Sequence, residues 1–289
     1  MTPARHLDGT EIFPIGLGAM PMSIEGRPPP ERSIETIHAA LDAGANLIDT
    51  ADAYCVGEDE VGHNERLIAR ALAERPAGRD GVIVATKGGH TRPGGAWEID
   101  ASRKHLRAAC EASLRALGTD RIGLYQLHRP DPRVPYAESV GALSELQQEG
   151  KVRWIGLSNA SVEQLEEARA IGGIVAVQNQ LSLGYRSPIE KGEVARCAEL
   201  GIAFLAWSPL GGISDAADAA ASVAEVREIA ARRGVSAQQV ALAWLLSLSD
   251  TVIPIPGSSR PETITDSLAA AELELSGEEL DAIGARAGA

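Results

Sequence analysis

Short apolar runs, many of them β-branched, alternate with longer helix-period stretches along almost the whole chain, and this alternation restricts the fold more than any other feature. The strand-like runs lie at 15–18, 47–49, 82–87, 122–128, 152–158, 174–178, 203–207 and 251–254. Most are continuously apolar, as expected of parallel strands covered on both faces. Between them the period becomes helical. Ser102 is placed to cap a helix with Leu106, Cys110, Leu114 and Leu117 on one face, and Gly118 to end it. Pro135 opens another, with Val140, Leu143 and Leu146 inward and Gly150 as its stop. Capping boxes pair Ser161 with Gln164, Ser236 with Gln239 and Ser276 with Glu279. Eight strand–helix repeats predict an α/β fold, a (β/α)8 TIM barrel, with residues 1–289 as a single domain. The Asp8-Gly9 turn between Leu7 and Ile12 predicts an N-terminal β-hairpin that plugs one end. A doubly wound open sheet is the competing architecture. Against it, Gly16-Leu17-Gly18-Ala19 is too short for the GxGxxG that a dinucleotide-binding open sheet needs after its first strand.

Composition narrows the function classes. Hydrophobic residues make up 44% of the chain, enough for a full core and too many for a disordered one. Lys and Arg number 27 against 40 Asp and Glu, a net charge of -13 that argues against binding nucleic acid or an anionic membrane surface. A small basic pocket for a phosphate stays compatible with it. The opening residues Met1 to Asp8 lack the apolar region of an export signal, and no apolar run approaches the roughly 20 residues that cross a bilayer. Cys55, Cys110 and Cys197 are odd in number and far apart, with no CxxC pair or metal-ligand spacing, so no metal is expected and a cytoplasmic location fits.

The polar groups fall where strands end. Asp49 ends the second run and Tyr54 follows five residues later; Lys87 ends the third and His128 the fourth. Ser158-Asn159, Gln178 and Trp207-Ser208 end the next three. In a barrel these converge on one rim, at the C-terminal mouth, where active sites are built. The loops 27–30, 88–95 and 211–221 fall at the same mouth. A buried Lys or Asp is costly unless paired, and Asp49 and Lys87 can pair across neighbouring strands. Each residue alone has a plainer structural explanation. Four chemically matched groups on three consecutive strand ends do not.

Leu47-Ile48-Asp49-Thr50-Ala51-Asp52-Ala53-Tyr54, the Thr86-Lys87 ending and Leu124-Tyr125-Gln126-Leu127-His128 resemble the aldo-keto reductase superfamily. So do Ile155-Gly156-Leu157-Ser158-Asn159, Ala206-Trp207-Ser208-Pro209-Leu210 and Ile255-Pro256-Gly257-Ser258. The motifs run in order over nearly the whole chain. The resemblance implies a catalytic tetrad of Asp49, Tyr54, Lys87 and His128. In those roles Tyr54 donates a proton to the carbonyl oxygen, and Lys87, held by Asp49, lowers a phenol pKa that is ordinarily about 10. Neutral His128 orients the carbonyl. It also implies a nicotinamide cofactor, because no side chain supplies a hydride. Ser158, Asn159 and Gln178 would then bond the carboxamide, Trp207 would stack on the ring, and Ser208, Pro209, Leu210, Gly211 and Gly212 would run along the pyrophosphate. Gly18, Ala19 and Met20 join the cofactor set. At the adenosine end stand Gly257, Ser258, Arg260 and Asp266, with Arg260 and Ser258 suited to a 2′-phosphate and hence to NADPH. Where many relatives carry Lys, Arg and Asn this chain has Gly257, Thr263 and Ser267, so NADH use stays open.

Substrate recognition is less legible. Met20, Met22, Cys55, Val56, Trp97 and Arg129 are placed near the mouth, and the acidic loop 57–60 reads as unwelcoming to a carboxylate. The expected function is NADPH-dependent reduction of a small aldehyde or ketone by a monomer or weak homo-oligomer. Two alternatives are an NADPH-binding sensor subunit with little turnover, and a barrel isomerase or lyase using Lys87 as a Schiff-base amine.

Overall fold

The computed structural model describes residues 4–75, 81–212 and 223–284. The chain begins with the antiparallel hairpin β1 (Arg5–Leu7) and β2 (Thr10–Ile12). Asp8 and Gly9 turn it at φ 47° and 75°, the pair of positive angles that a tight hairpin turn requires. Eight parallel strands follow: β3 (Leu17–Gly18), β4 (Leu47–Asp49), β5 (Ile83–Gly88), β8 (Ile122–Leu127), β9 (Val152–Ser158), β10 (Ile174–Gln180), β11 (Ala203–Trp207) and β12 (Val252–Pro254). Each pairs with the next in that order. The first and last strands meet as well. Gly16 N donates to Pro254 O at 2.9 Å, and Gly18 N to Pro256 O at 2.9 Å. A Cβ at Gly18 would lie 2.8 Å from the Ile255 carbonyl oxygen, so this seam of the barrel admits only glycine there.

Helices α1 (Pro30–Asp42), α2 (His63–Ala73), α3 (Arg103–Leu117), α4 (Tyr136–Gln148) and α5 (Val162–Arg169) wrap the first half of the barrel, each packed on the next. Their ends follow the capping chemistry. Ser102 accepts from His105 N, Gly118 takes φ 61°, and Ser161 with Gln164 forms a complete box. At Ser236 only half of the box forms, because the Gln239 amide turns to Asp266 instead. Two apolar layers result. One lies between sheet and helices and includes Tyr125, Leu127 and Leu157. The other fills the barrel from below with Leu47, Ala85, Leu124, Trp154, Ala176 and Leu205, closed off by Leu7 and Ile12 of the hairpin. Trp154 Nε1 donates to Asp8 Oδ2 at 2.8 Å, which anchors the plug.

The loop expected at 88–95 begins a structured segment that runs past it. Residues 90–99 form a short antiparallel ribbon of β6 (His90–Thr91) and β7 (Glu98–Ile99) beside the mouth. Of the loop 211–221, positions from 213 onward lie outside the described residues. Among the described residues no helix is long and apolar enough to cross a membrane.

Candidate active site

Strand alternation carries the polar groups inward. Successive side chains point to opposite faces, so the residue two beyond an interior apolar one is also interior. Leu47 thus leads to Asp49, Ala85 to Lys87 and Trp154, by way of Gly156, to Ser158; Ala176 leads to Gln178 and Leu205 to Trp207. Leu124 leads through Gln126 to His128, one residue past the end of β8. These side chains sit above the apolar layer, and the cavity over them encloses about 780 Å³.

Lys87 is fully buried and saturated. Its Nζ lies 2.8 Å from both carboxylate oxygens of Asp49, 2.8 Å from Thr50 O and 3.1 Å from the Tyr54 hydroxyl. Gln178 Nε2 donates to Asp49 Oδ1 at 2.7 Å. Tyr54 arrives from the loop after β4, where Asp52 Oδ1 accepts Ala53 N at 2.6 Å and Gly62 N donates to Asp52 O. Burial alone would lower the Lys87 ammonium, but Asp49 and Tyr54 override it and its pKa stands above its ordinary value. Lys87 does lower the Tyr54 phenol, as expected, but it does not decide the net direction, which is upward. Burial raises that phenol, and the ammonium offsets only part of the effect. Tyr54 therefore holds its proton at neutral pH with a cation 3.1 Å away to receive the phenolate.

His128 is buried, 5.8 Å from Tyr54 between ring centroids. Burial, reinforced by the charge of Lys87, holds its imidazole well below its ordinary pKa, so the ring is neutral. Its Nδ1 is sealed in with no partner among the described residues. Orphaned N–H groups are rarer in protein interiors than orphaned acceptors, which favours the tautomer with its proton on Nε2, the nitrogen left to face the cavity.

Beside these groups lie Ser158, Asn159 and Gln178. Asn159 takes φ 57° and donates to His128 O and Ser158 Oγ, both at 3.0 Å, and its side-chain oxygen has no partner among the described residues. Ser208, just past β11, takes φ 48°. Left-handed backbone at two non-glycine residues costs about 1–3 kcal/mol each, and both line this cavity. Trp207 forms the next wall, followed by Ser208, Pro209, Leu210, Gly211 and Gly212. Gly18, Met20, Gly257, Ser258, Arg260 and Asp266 complete the far end. Arg260 precedes the helix Pro261–Ala269 and makes no salt bridge among the described residues, whereas the neighbouring Glu262 pairs with Arg32 at 2.8 Å. Both oxygens of Asp266 already accept, from Ser236 Oγ and Gln239 Nε2, each at 2.7 Å.

Four of the residues expected near the mouth lie elsewhere, since none of them lines the cavity. Ala19 and Met22 are buried in the layer between barrel and helices, because the short 3-10 turn Met20–Met22 directs them inward. Cys55 is fully buried, its thiol pushed up by burial to about 11. Val56 is exposed and does not line the cavity. The acidic loop 57–60 does not line the cavity either. Glu60 binds both Nη atoms of Arg27 at 2.7 Å, which holds it at about 2. Trp97 and Arg129 do line the mouth. So do Ile255 and, unannounced by the sequence pattern, His90, Pro21 and Gln238. His90 stands three residues past Lys87 at a strand end, a position that does carry a signal; Gln238 lies in a distant helix and carries none.

The model of the aldo/keto reductase family matches residues 14–286. A thermostable aldo-keto reductase solved with the inhibitor epalrestat is 29% identical, with a TM-score of 0.83 over 99% of each chain. The glycerol dehydrogenase from Gluconobacter oxydans is also 29% identical, with a TM-score of 0.85 over 98% of this chain and 94% of its own. An aldo-keto reductase from Klebsiella pneumoniae, in complex with NADPH, is 26% identical, with a TM-score of 0.81 over 99% of this chain and 95% of its own. With the motifs, the barrel and its mouth in agreement, the chain belongs to the aldo/keto reductase family.

Proposed function

We propose that the protein reduces a small aldehyde or ketone with NADPH, Tyr54 giving the proton to the carbonyl oxygen. The observation that carries this reading is the Tyr54 hydroxyl 3.1 Å from Lys87 Nζ, at the floor of a cavity shared with His128 and Trp207. The donor set suits a nicotinamide dinucleotide. Asn159 and Gln178 offer to a carboxamide NH2 side-chain oxygens that have no partner among the described residues, and Ser158 offers a hydroxyl. The Trp207 ring has the shape to cover a flat heterocycle. The backbone from Ser208 to Gly212 and the helix start at Pro261 offer amides to phosphates, and unpaired Arg260 favours a 2′-phosphate. Bound there, NADPH supplies the hydride.

The protein's own part is proton transfer and orientation. His128 Nε2–H and the Tyr54 hydroxyl both donate to the carbonyl oxygen and hold the carbon toward the indole wall. As negative charge grows on that oxygen, the Tyr54 proton moves to it, and Lys87 stabilises the phenolate left behind. Asp49 keeps Lys87 charged throughout, which also argues against a Schiff-base role for this amine.

The test is Tyr54→Phe assayed with NADPH and a panel of aldehydes. Turnover is expected to fall by about 10²–10⁴-fold, the scale of a lost general acid, while NADPH still quenches tryptophan fluorescence. Unchanged turnover in the Phe variant would remove Tyr54 from the chemistry.

A further inference from the structure

We infer that His90 is a specificity-determining residue whose Nε2 accepts a hydrogen bond from a hydroxyl next to the substrate carbonyl, so that the site selects α-hydroxy aldehydes and ketones. The inference rests on the carbonyl-reductase reading above and adds the substrate feature that the site is built to recognise.

His90 stands in the ribbon that flanks the mouth. Its ring meets His128 edge to face, 4.3 Å between centroids at 88°, and meets Trp97 at 5.6 Å. Tyr54 touches the same cluster, 5.8 Å from His128 and 6.5 Å from Trp97. Trp97 is backed by the buried Arg92, whose guanidinium lies 4.0 Å from the indole and donates to Val56 O at 3.0 Å. The wall that carries His90 is therefore held on both sides.

The tautomer follows from one contact. His90 Nδ1 lies 2.9 Å from the Glu98 carbonyl oxygen, which can only accept, so Nδ1 carries the hydrogen. Burial holds the ring below its ordinary pKa, opposed by the Glu98 bond and helped by the nearby Arg129, Lys87 and Arg92. The ring is neutral and Nε2 keeps a lone pair. That nitrogen has no partner among the described residues and is not sealed in the interior, and His90 lines the cavity.

A substrate thus meets two donors, the Tyr54 hydroxyl and His128 Nε2–H, and one acceptor. A simple aldehyde or ketone brings only an accepting oxygen. It satisfies both donors but leaves the His90 lone pair desolvated and unpaired, which is costly. A hydroxyl on the adjacent carbon supplies the missing donor. Its oxygen stays near enough to the carbonyl oxygen for two imidazoles packed edge to face to hold one each. Sites built to bond a substrate hydroxyl reject the analogue that lacks it far more strongly than apolar pockets reject size differences.

The experiment compares kcat/KM within pairs that differ by one hydroxyl, lactaldehyde with propanal and acetoin with butanone, for the wild type, His90→Gln, His90→Phe and His90→Leu. The hydroxylated-to-deoxy ratio is expected to drop about tenfold or more in both apolar variants. In His90→Gln, whose amide can donate to Glu98 and accept from substrate, it is expected to be largely kept. Dissociation constants of 1,2-propanediol and 1-propanol should show the same ordering without turnover. The ratio cancels any loss shared by both substrates, so a purely structural role for His90 leaves it unmoved. A ratio unchanged in Phe and Leu variants that still turn over both substrates overturns the inference alone. A wild type that binds NADPH yet reduces no member of either pair overturns the underlying reading with it.

Discussion

At the scale of single residues, the cost of burying Lys87 sets the character of the site. An ammonium with no exposed surface persists because Asp49 takes it on both oxygens and two further oxygens complete its shell. Removing one partner of such a pair leaves the other charged in a dry interior, typically at a cost of about 3–5 kcal/mol. Lys87→Met is therefore expected to lower the urea midpoint sharply, and the double change with Asp49→Asn to recover part of that loss. An unmoved midpoint in Lys87→Met would mean that the pair contributes nothing to the folded state. The identities of these residues are readable as polar interruptions at the ends of apolar runs. The sign of the Tyr54 shift is not, because it depends on how completely neighbouring elements exclude water. Met22 and Cys55 turn away from the mouth for a related reason: sequence adjacency to a strand end does not reveal which way a side chain points in an irregular segment.

At the scale of elements, the loop after β8 shows how a short connection is made rigid. Asp131 is buried and accepts from Ala101 N at 3.5 Å and from Arg133 N, Nε and Nη2 at 2.9 Å. This joins the His128 loop to the end of the ribbon that carries His90. The Arg133 guanidinium holds the Asp131 carboxyl at about 2, below its ordinary 3.8. Between those values the unfolded chain binds more protons than the folded one, so stability falls as pH falls. The Asp131 contribution is expected to be complete above about pH 4 and lost as the pH drops through about 2. Denaturation curves between pH 2 and pH 6 check this, with Asp131→Asn flattening the slope in that window. A slope identical in the variant would rule out Asp131 as its source. The long strands and the capping serines are visible as period and spacing, and β4, β9 and β11 begin and end where the pattern places them. The ribbon of β6 and β7 is not visible, since two-residue strands have no period and their pairing depends on a chain reversal between them.

At the scale of the whole molecule, charge and cavity tell different stories. The chain carries a net charge of -13, yet the described mouth presents Arg129 and Arg260 without salt bridges. Glu60, which by sequence threatens an anion, is paired with Arg27 and does not line the cavity. A ligand at about 100 times its Kd stabilises the native state by about 2.7 kcal/mol, so saturating NADPH is expected to raise Tm by roughly 5 °C in a chain of this size. Arg260→Ala should reduce the NADPH shift and leave the NADH shift intact, as thermal scans with each nucleotide would show. An equal loss for both would place Arg260 away from the 2′-phosphate.

The amino-acid order alone determined the alternation of strands and helices, the hairpin, and which polar groups stand at strand ends, because these follow from local period and local hydrogen bonding. Only the closed barrel decided the rest. Joining Gly18 to the segment after β12 brings residues more than 200 positions apart to one cavity. Its depth raises the Tyr54 phenol, and its crowding sets His90 against His128. Desolvation and contact between distant segments depend on the whole packed molecule, and no short window of sequence contains them.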